Sequence, residues 1–140
     1  MKKLITTLSI ITAFLTATTT LKAHEGHDHD APKTVTAPKG GTIKYIDGLY
    51  AESVSKGTHL IIYFYDEDMK PLEASKLSVT MEAEIPRKKQ KEKLKISIKD
   101  NAAEAQFDAK GAHRYILHLT VKVPATKDTD TVSFNIEPKK

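Results

Sequence analysis

The chain has 140 residues and no cysteine, which excludes disulfides, thiolate metal sites, a cysteine nucleophile and iron–sulfur clusters together. Its formal charge of +4 overstates its basic character: Lys2, Lys3 and Lys22 sit in an N-terminal stretch without acids, and the other 19 of 22 basic residues face 18 acidic ones. So balanced a chain gives no electrostatic ground for nucleic-acid binding. Any metal site must be built from imidazole, carboxylate, thioether, backbone or water, which suits Zn²⁺, Cu²⁺ or Ni²⁺.

Met1-Lys2-Lys3 is a positive start. Leu4 to Ala17 is an uncharged, apolar, Thr-rich run, and Leu21-Lys22-Ala23 ends in a small residue. This three-part pattern predicts a signal peptide over residues 1–23, cleaved near Ala23, and hence export to the periplasm. The competing reading, a membrane anchor, needs roughly 20 consecutive apolar residues, and the run is shorter and rich in threonine. No stable membrane insertion is expected after cleavage.

Residues 24–37 follow as a polar tail without apolar periodicity, expected to be flexible. Its first seven residues, His24-Glu25-Gly26-His27-Asp28-His29-Asp30, hold three of the chain's six histidines. Imidazoles at 24, 27 and 29 can reach one ion in a flexible chain. Asp28 and Asp30 add oxygen ligands and attract cations. The expected ligand is a loosely bound divalent transition metal, copper or zinc first, with affinity falling as the imidazoles protonate. Cleavage after Ala23 would also place an α-amine beside the His24 imidazole, a two-nitrogen chelate for Cu²⁺. The bland alternative is a solvated linker whose histidines bind nothing.

From Gly40 onward the hydrophobic period is two. Thr42–Ile46 and Leu49–Ser55 flank Asp47-Gly48, a hairpin signal. His59–Tyr65 is apolar on both faces and reads as a central strand. Leu77, Val79, Met81, Ala83 and Ile85 alternate with polar residues, as do Leu94, Ile96 and Ile98, then Ala103, Ala105 and Phe107. Tyr115, Leu117, Leu119, Val121 and Val123 form one face of a long strand, and Val132, Phe134 and Ile136 close the series. The pattern predicts an all-β domain over residues 38–138: one antiparallel, immunoglobulin-like β-sandwich of seven or eight strands.

Arg87-Lys88-Lys89-Gln90-Lys91-Glu92-Lys93 is a basic run in a connection. It reads as a solvated loop that keeps a strand edge soluble, or as a contact for an anionic surface or partner. His59, His113 and His118 are single strand histidines, expected at the surface or satisfied in the core; a rigid site around His59 or His113, with oxygens from Glu52, Asp66 or Asp68, is the lesser alternative. No nucleophile, base and orienter stand together in sequence, so no enzyme is expected.

Three segments carry a resemblance: Ala37-Pro38-Lys39-Gly40-Gly41-Thr42-Ile43, Asp47-Gly48-Leu49-Tyr50-Ala51-Glu52, and His59 through Leu72 with its Asp66-Glu67-Asp68-Met69-Lys70-Pro71 turn. They resemble the N-terminal β domain of periplasmic adaptor (membrane-fusion) proteins of heavy-metal efflux pumps of the resistance-nodulation-division type. Many of those carry a His/Asp/Glu-rich tail ahead of a Pro-x-Gly-Gly segment. Met69 departs from the family's usual glycine in that turn. The resemblance implies a free-standing relative of a metal-loading domain, with the tail histidines as candidate ligands and an efflux pump or its adaptor as partner. The alternative is an immunoglobulin-like envelope interaction module whose His-rich tail is incidental.

Overall fold

The structure, a computed structural model, describes residues 34–124 and 129–138. The predicted signal peptide and the proposed ligands His24, His27, His29, Asp28 and Asp30 lie outside the described residues. Among these there are nine strands and one short 3-10 turn, Ala74–Lys76. The strands are β1 (Thr42–Ile46), β2 (Leu49–Lys56), β3 (His59–Tyr65), β4 (Ser78–Glu84), β5 (Lys91–Lys93), β6 (Ile96–Lys99), β7 (Ala102–Gln106), β8 (Tyr115–Lys122) and β9 (Thr129–Ile136).

They form two antiparallel sheets. One has five strands in the order β1-β2-β3-β7-β6, the other four in the order β5-β4-β8-β9. The β1–β2 hairpin closes through Asp47 and Gly48 with Ile46 opposite Leu49. Both turn residues have positive φ, 42° and 82°, as the Asp-Gly pair requires. β3 lies between β2 and β7, in the middle of its sheet.

Alternation decides which side chains meet. Leu60, Ile62 and Phe64 of β3, Met81 and Ala83 of β4, Leu117 and Leu119 of β8, and Phe134 of β9 are all essentially inaccessible and belong to one hydrophobic cluster drawn from both sheets. Each large apolar side chain removed from water in this way contributes about 1.5–3 kcal/mol.

The alternating segment Leu94, Ile96, Ile98 does not form one strand. β5 pairs with β4 in the four-stranded sheet, and β6 pairs with β7 in the five-stranded sheet. The chain changes sheet at Leu94, which is buried and whose N–H donates to the Met81 carbonyl at 2.9 Å. The apolar period continues through the crossing: Leu94 is buried and Ile96 packs partly buried against the core, while Ile98 keeps the spacing but is exposed. A period of two therefore carries no trace of the switch.

Candidate functional site

The structure describes how residues 37–41, ahead of β1, are held on the domain. Alternation along β2 puts Ala51 and Ser53 on the core side and Glu52 on the outer face, yet Glu52 is completely buried. The segment Lys39–Gly41 covers it. Glu52 Oε1 accepts from the Lys39 N–H at 2.9 Å and the Gly41 N–H at 2.8 Å. Its Oε2 accepts from Lys39 N–H at 3.1 Å and from the Tyr65 hydroxyl at 2.9 Å. Burial, and then the hydrogen bond to Glu52, push the Tyr65 phenol well above its ordinary range.

The two glycines ahead of β1 have separate reasons. Gly40 sits at φ 72°, in the left-handed region, and its N–H closes a turn onto the Ala37 carbonyl at 3.1 Å. Gly41 has no space for a side chain: a Cβ there would collide with the Ser53 carbonyl and meet Val54 Cγ2 at 2.9 Å. Bare backbone is what allows this segment to lie close enough to hydrogen-bond the carboxylate. Lys39 also sets its ammonium 5.4 Å from the centre of the Tyr63 ring. The result is an anchor: a buried, acceptor-only carboxylate holding two main-chain N–H groups and one phenol. Pro-x-Gly-Gly, Glu52 and Tyr65, separate in sequence, are parts of one contact.

The rigid metal site considered around the strand histidines is not assembled. Among the described residues no three of His, Asp and Glu converge on a common ion position. Glu52 is committed to the anchor. Asp66 Oδ1 accepts the N–H groups of Asp68 and Lys70, both at 2.9 Å, and so shapes its own turn. Asp68 lies 3.9 Å from the Lys70 ammonium in an exposed pair. His59 Nε2 stands 3.6 Å from Glu104 Oε2 across β3 and β7, at a groove of about 500 Å³ also lined by Glu92, Lys93 and Lys95. His113 is exposed at a different groove, with Arg87 and Arg114.

His118 has an arrangement that local reading missed. Its Nδ1 lies 2.9 Å from Ser133 Oγ on β9, and its Nε2 lies 2.7 Å from Glu84 Oε2 on β4. Hydroxyl, imidazole and carboxylate thus stand in line. Register produces this: His118 is opposite Ser133 on one side and opposite Glu82 on the other, with Glu84 the next outward residue along β4. The trio lies on the outer face of the four-stranded sheet, with His118 and Ser133 mid-strand and Glu84 at the end of β4. There the strand N–H groups are spent on the ladder, whereas acyl transfer needs donors aimed at a developing oxyanion. The arrangement acts as a cross-strand polar clasp over β4, β8 and β9, extended by the Thr120–Thr131 hydroxyl contact at 2.9 Å.

In comparisons with known proteins, no family model, no curated protein and no solved structure matches this chain.

Proposed function

We propose that this chain is a periplasmic heavy-metal-binding accessory protein. It captures a divalent transition metal, copper or zinc, through His24, His27 and His29, with Asp28 or Asp30 completing the set. It buffers the ion or hands it to an efflux system or its adaptor. One observation carries the reading: three imidazoles and three carboxylates within seven residues, directly after a segment with the pattern of an export signal. The anchor supports it. The segments that resemble the adaptor domain include Lys39, Gly41, Glu52 and Tyr65, which interlock to fix the chain ahead of β1 onto the domain.

The strand order supports an immunoglobulin-like sandwich as the carrier. With β2, β3, β4, β6, β7, β8 and β9 taken as the seven successive strands of that fold, the two sheets reproduce its ABED and CFG arrangement, and β1 and β5 add one edge strand to each. In this scheme the domain is the holder and the residues ahead of it are the ligand set.

The test is calorimetric titration of residues 24–140 with Cu²⁺ and Zn²⁺ at neutral pH, beside the variant with His24, His27 and His29 all replaced by Ala. Saturable binding that disappears in the variant is the expected result. Binding of equal stoichiometry in the variant would move the site into the domain. No saturable binding in either would remove the metal reading.

A further inference from the structure

The basic run between β4 and β5 does not stand alone. The β4–β5 connection and the β7–β8 connection, residues 107–114, line common grooves. One, of about 520 Å³, lies among Ile85, Lys88, Lys91, Phe107 and Lys110. The next, of about 430 Å³, lies among Ile85, Pro86, Arg87, His113 and Arg114. Two loops distant in sequence therefore bring Arg87, Lys88, Lys89, Lys91, Lys110 and Arg114 to one end of the domain. All six are exposed, and none forms an ion pair with an acid among the described residues. The acids nearby are Glu84, Glu92 and Asp108: Glu84 stands opposite Lys91 in the β4–β5 register with its carboxylate on His118, and Asp108 Oδ1 already accepts the Lys110 N–H at 2.8 Å. Balanced overall charge thus conceals a strongly positive pole.

We propose that this pole docks the protein on an anionic lipid bilayer, through the phosphates of its head groups. Three observations select that occupant. Because every one of the six cations is exposed, none is held in the fixed, desolvated geometry that a pocket for a single phosphate needs. Spread over two adjoining grooves, they match a sheet of phosphates instead. Phe107, at the start of the second loop, and Tyr115, just past its end, are buried against each other with centroids 4.8 Å apart, so neither of these rings is offered for stacking on a nucleic-acid base. Half-buried Ile85 and Ala112 and exposed Pro86 sit between the two basic loops, a small apolar contact suited to the interfacial layer. The attraction is electrostatic, falls off within a Debye length and weakens with salt. The inference is independent of metal binding, since it uses none of the proposed ligands.

Co-sedimentation of residues 24–140 with vesicles tests it. The vesicles are phosphatidylcholine alone, and phosphatidylcholine doped with phosphatidylglycerol, each at low and at physiological salt. The expected result is binding to the doped vesicles only, weakened by salt. Affinity falls about fivefold for each cation neutralised in R87Q/K88Q/K91Q and in K110Q/R114Q. The control K70Q/K76Q, in a different part of the chain, binds as the parent does. The replaced side chains are exposed, so all variants keep the parent's urea midpoint, which checks folding. Equal binding to undoped vesicles, unchanged binding by both loop variants, or no binding by the parent would overturn the proposal. So would capture of polyglutamate without capture of doped vesicles, which would assign the pole to an acidic protein.

Discussion

Replacing Glu52 by Gln tests the anchor most directly, because the shape of the side chain is kept and its charge is lost. The carboxylate accepts from Lys39 N–H, Gly41 N–H and Tyr65 O–H. A glutamine offers one acceptor oxygen and places a donor where the other stood, so the three donors cannot all be served. A hydrogen bond to a charged acceptor is worth about 1 kcal/mol more than a neutral one, which puts the gross loss near 3 kcal/mol for three donors. Relief of the buried charge returns part of this, and the Lys39 N–H, on an exposed residue, regains water. The expected net cost is about 2 kcal/mol, read as a lower urea midpoint with unchanged slope. Hydrogen exchange locates the loss: protection of the Lys39 and Gly41 amides falls to the level of an open loop, while the β3 and β8 amides follow the global stability alone. Tyr65→Phe removes only one partner, and its cost should not add fully to that of Glu52→Gln. If the stability of Glu52→Gln stays within about 0.5 kcal/mol of the parent, the usual spread for surface changes, and both amides stay protected, the carboxylate does not hold this segment.

Other substitutions read the same local geometry. Gly41→Ala drives a Cβ into the Ser53 carbonyl, an overpacking against backbone that costs about 1–3 kcal/mol; Gly40→Ala meets nothing within 4 Å and pays only the left-handed backbone cost of about 1 kcal/mol. Urea melts that rank the two the other way would refute the close approach. Met69, at φ 62°, stands in the same left-handed region, so Met69→Gly relieves roughly 1–2 kcal/mol of steric cost and gives back up to about 1 kcal/mol in chain entropy; a small net gain in thermal midpoint is expected, and a loss would show that the Met69 side chain packs. The Tyr115 hydroxyl is buried without a hydrogen-bond partner among the described residues, so Tyr115→Phe should stabilise by about 1 kcal/mol in a urea melt; destabilisation would reveal an unseen partner. Burial pushes the Tyr115 phenol from 10.0 to about 12, so the folded state keeps a proton that the unfolded state releases. The stability tied to that proton is whole below pH 10 and is lost as pH rises toward about 12; Tyr115→Phe should flatten this alkaline decline, and a decline equally steep in the variant would refute the assignment.

What the sequence made legible was whatever is decided within a few residues. Asp47-Gly48 specified a hairpin because its backbone angles are local demands, and β3 read as central because Ile61 and Tyr63 on its outer side are apolar like the core residues between them. Leu94 hid a change of sheet, since the apolar spacing of Leu94, Ile96 and Ile98 runs on unbroken across it, although Ile98 ends up exposed. Glu52 read only as a spare oxygen donor, and its role in the anchor was hidden for a different reason. Alternation marks it correctly as facing outward, but burial comes from backbone 11 and 13 positions earlier, and the one local hint was paired glycine ahead of β1. His118 met Glu84 and Ser133 through registers 34 and 15 residues long, which no window of alternation contains. The basic pole was half legible: the Arg87–Lys93 run was plain in sequence, whereas Lys110 and Arg114 joined it only through packing of the second loop.

The proposed division of labour, a β domain as holder and residues 24–30 as ligands, has a thermodynamic signature. A ligand raises stability only when it binds the folded state better than the unfolded one. His24, His27 and His29 are neighbours in the chain whether or not β1 to β9 are assembled, and the hydrophobic cluster lies entirely within Ile46–Ile136. A metal held by those three imidazoles therefore gains nothing from folding. Saturating Zn²⁺ should bind in the calorimeter and leave the thermal midpoint unchanged to within about 1 °C, against a shift of about 4–8 °C for each kcal/mol of differential binding in a domain of this size. Chelator should likewise leave the midpoint where it was. A clear upward shift would mean that a residue of the folded domain shares the ion, with His59 and Glu104, 3.6 Å apart at their groove, the first pair to replace.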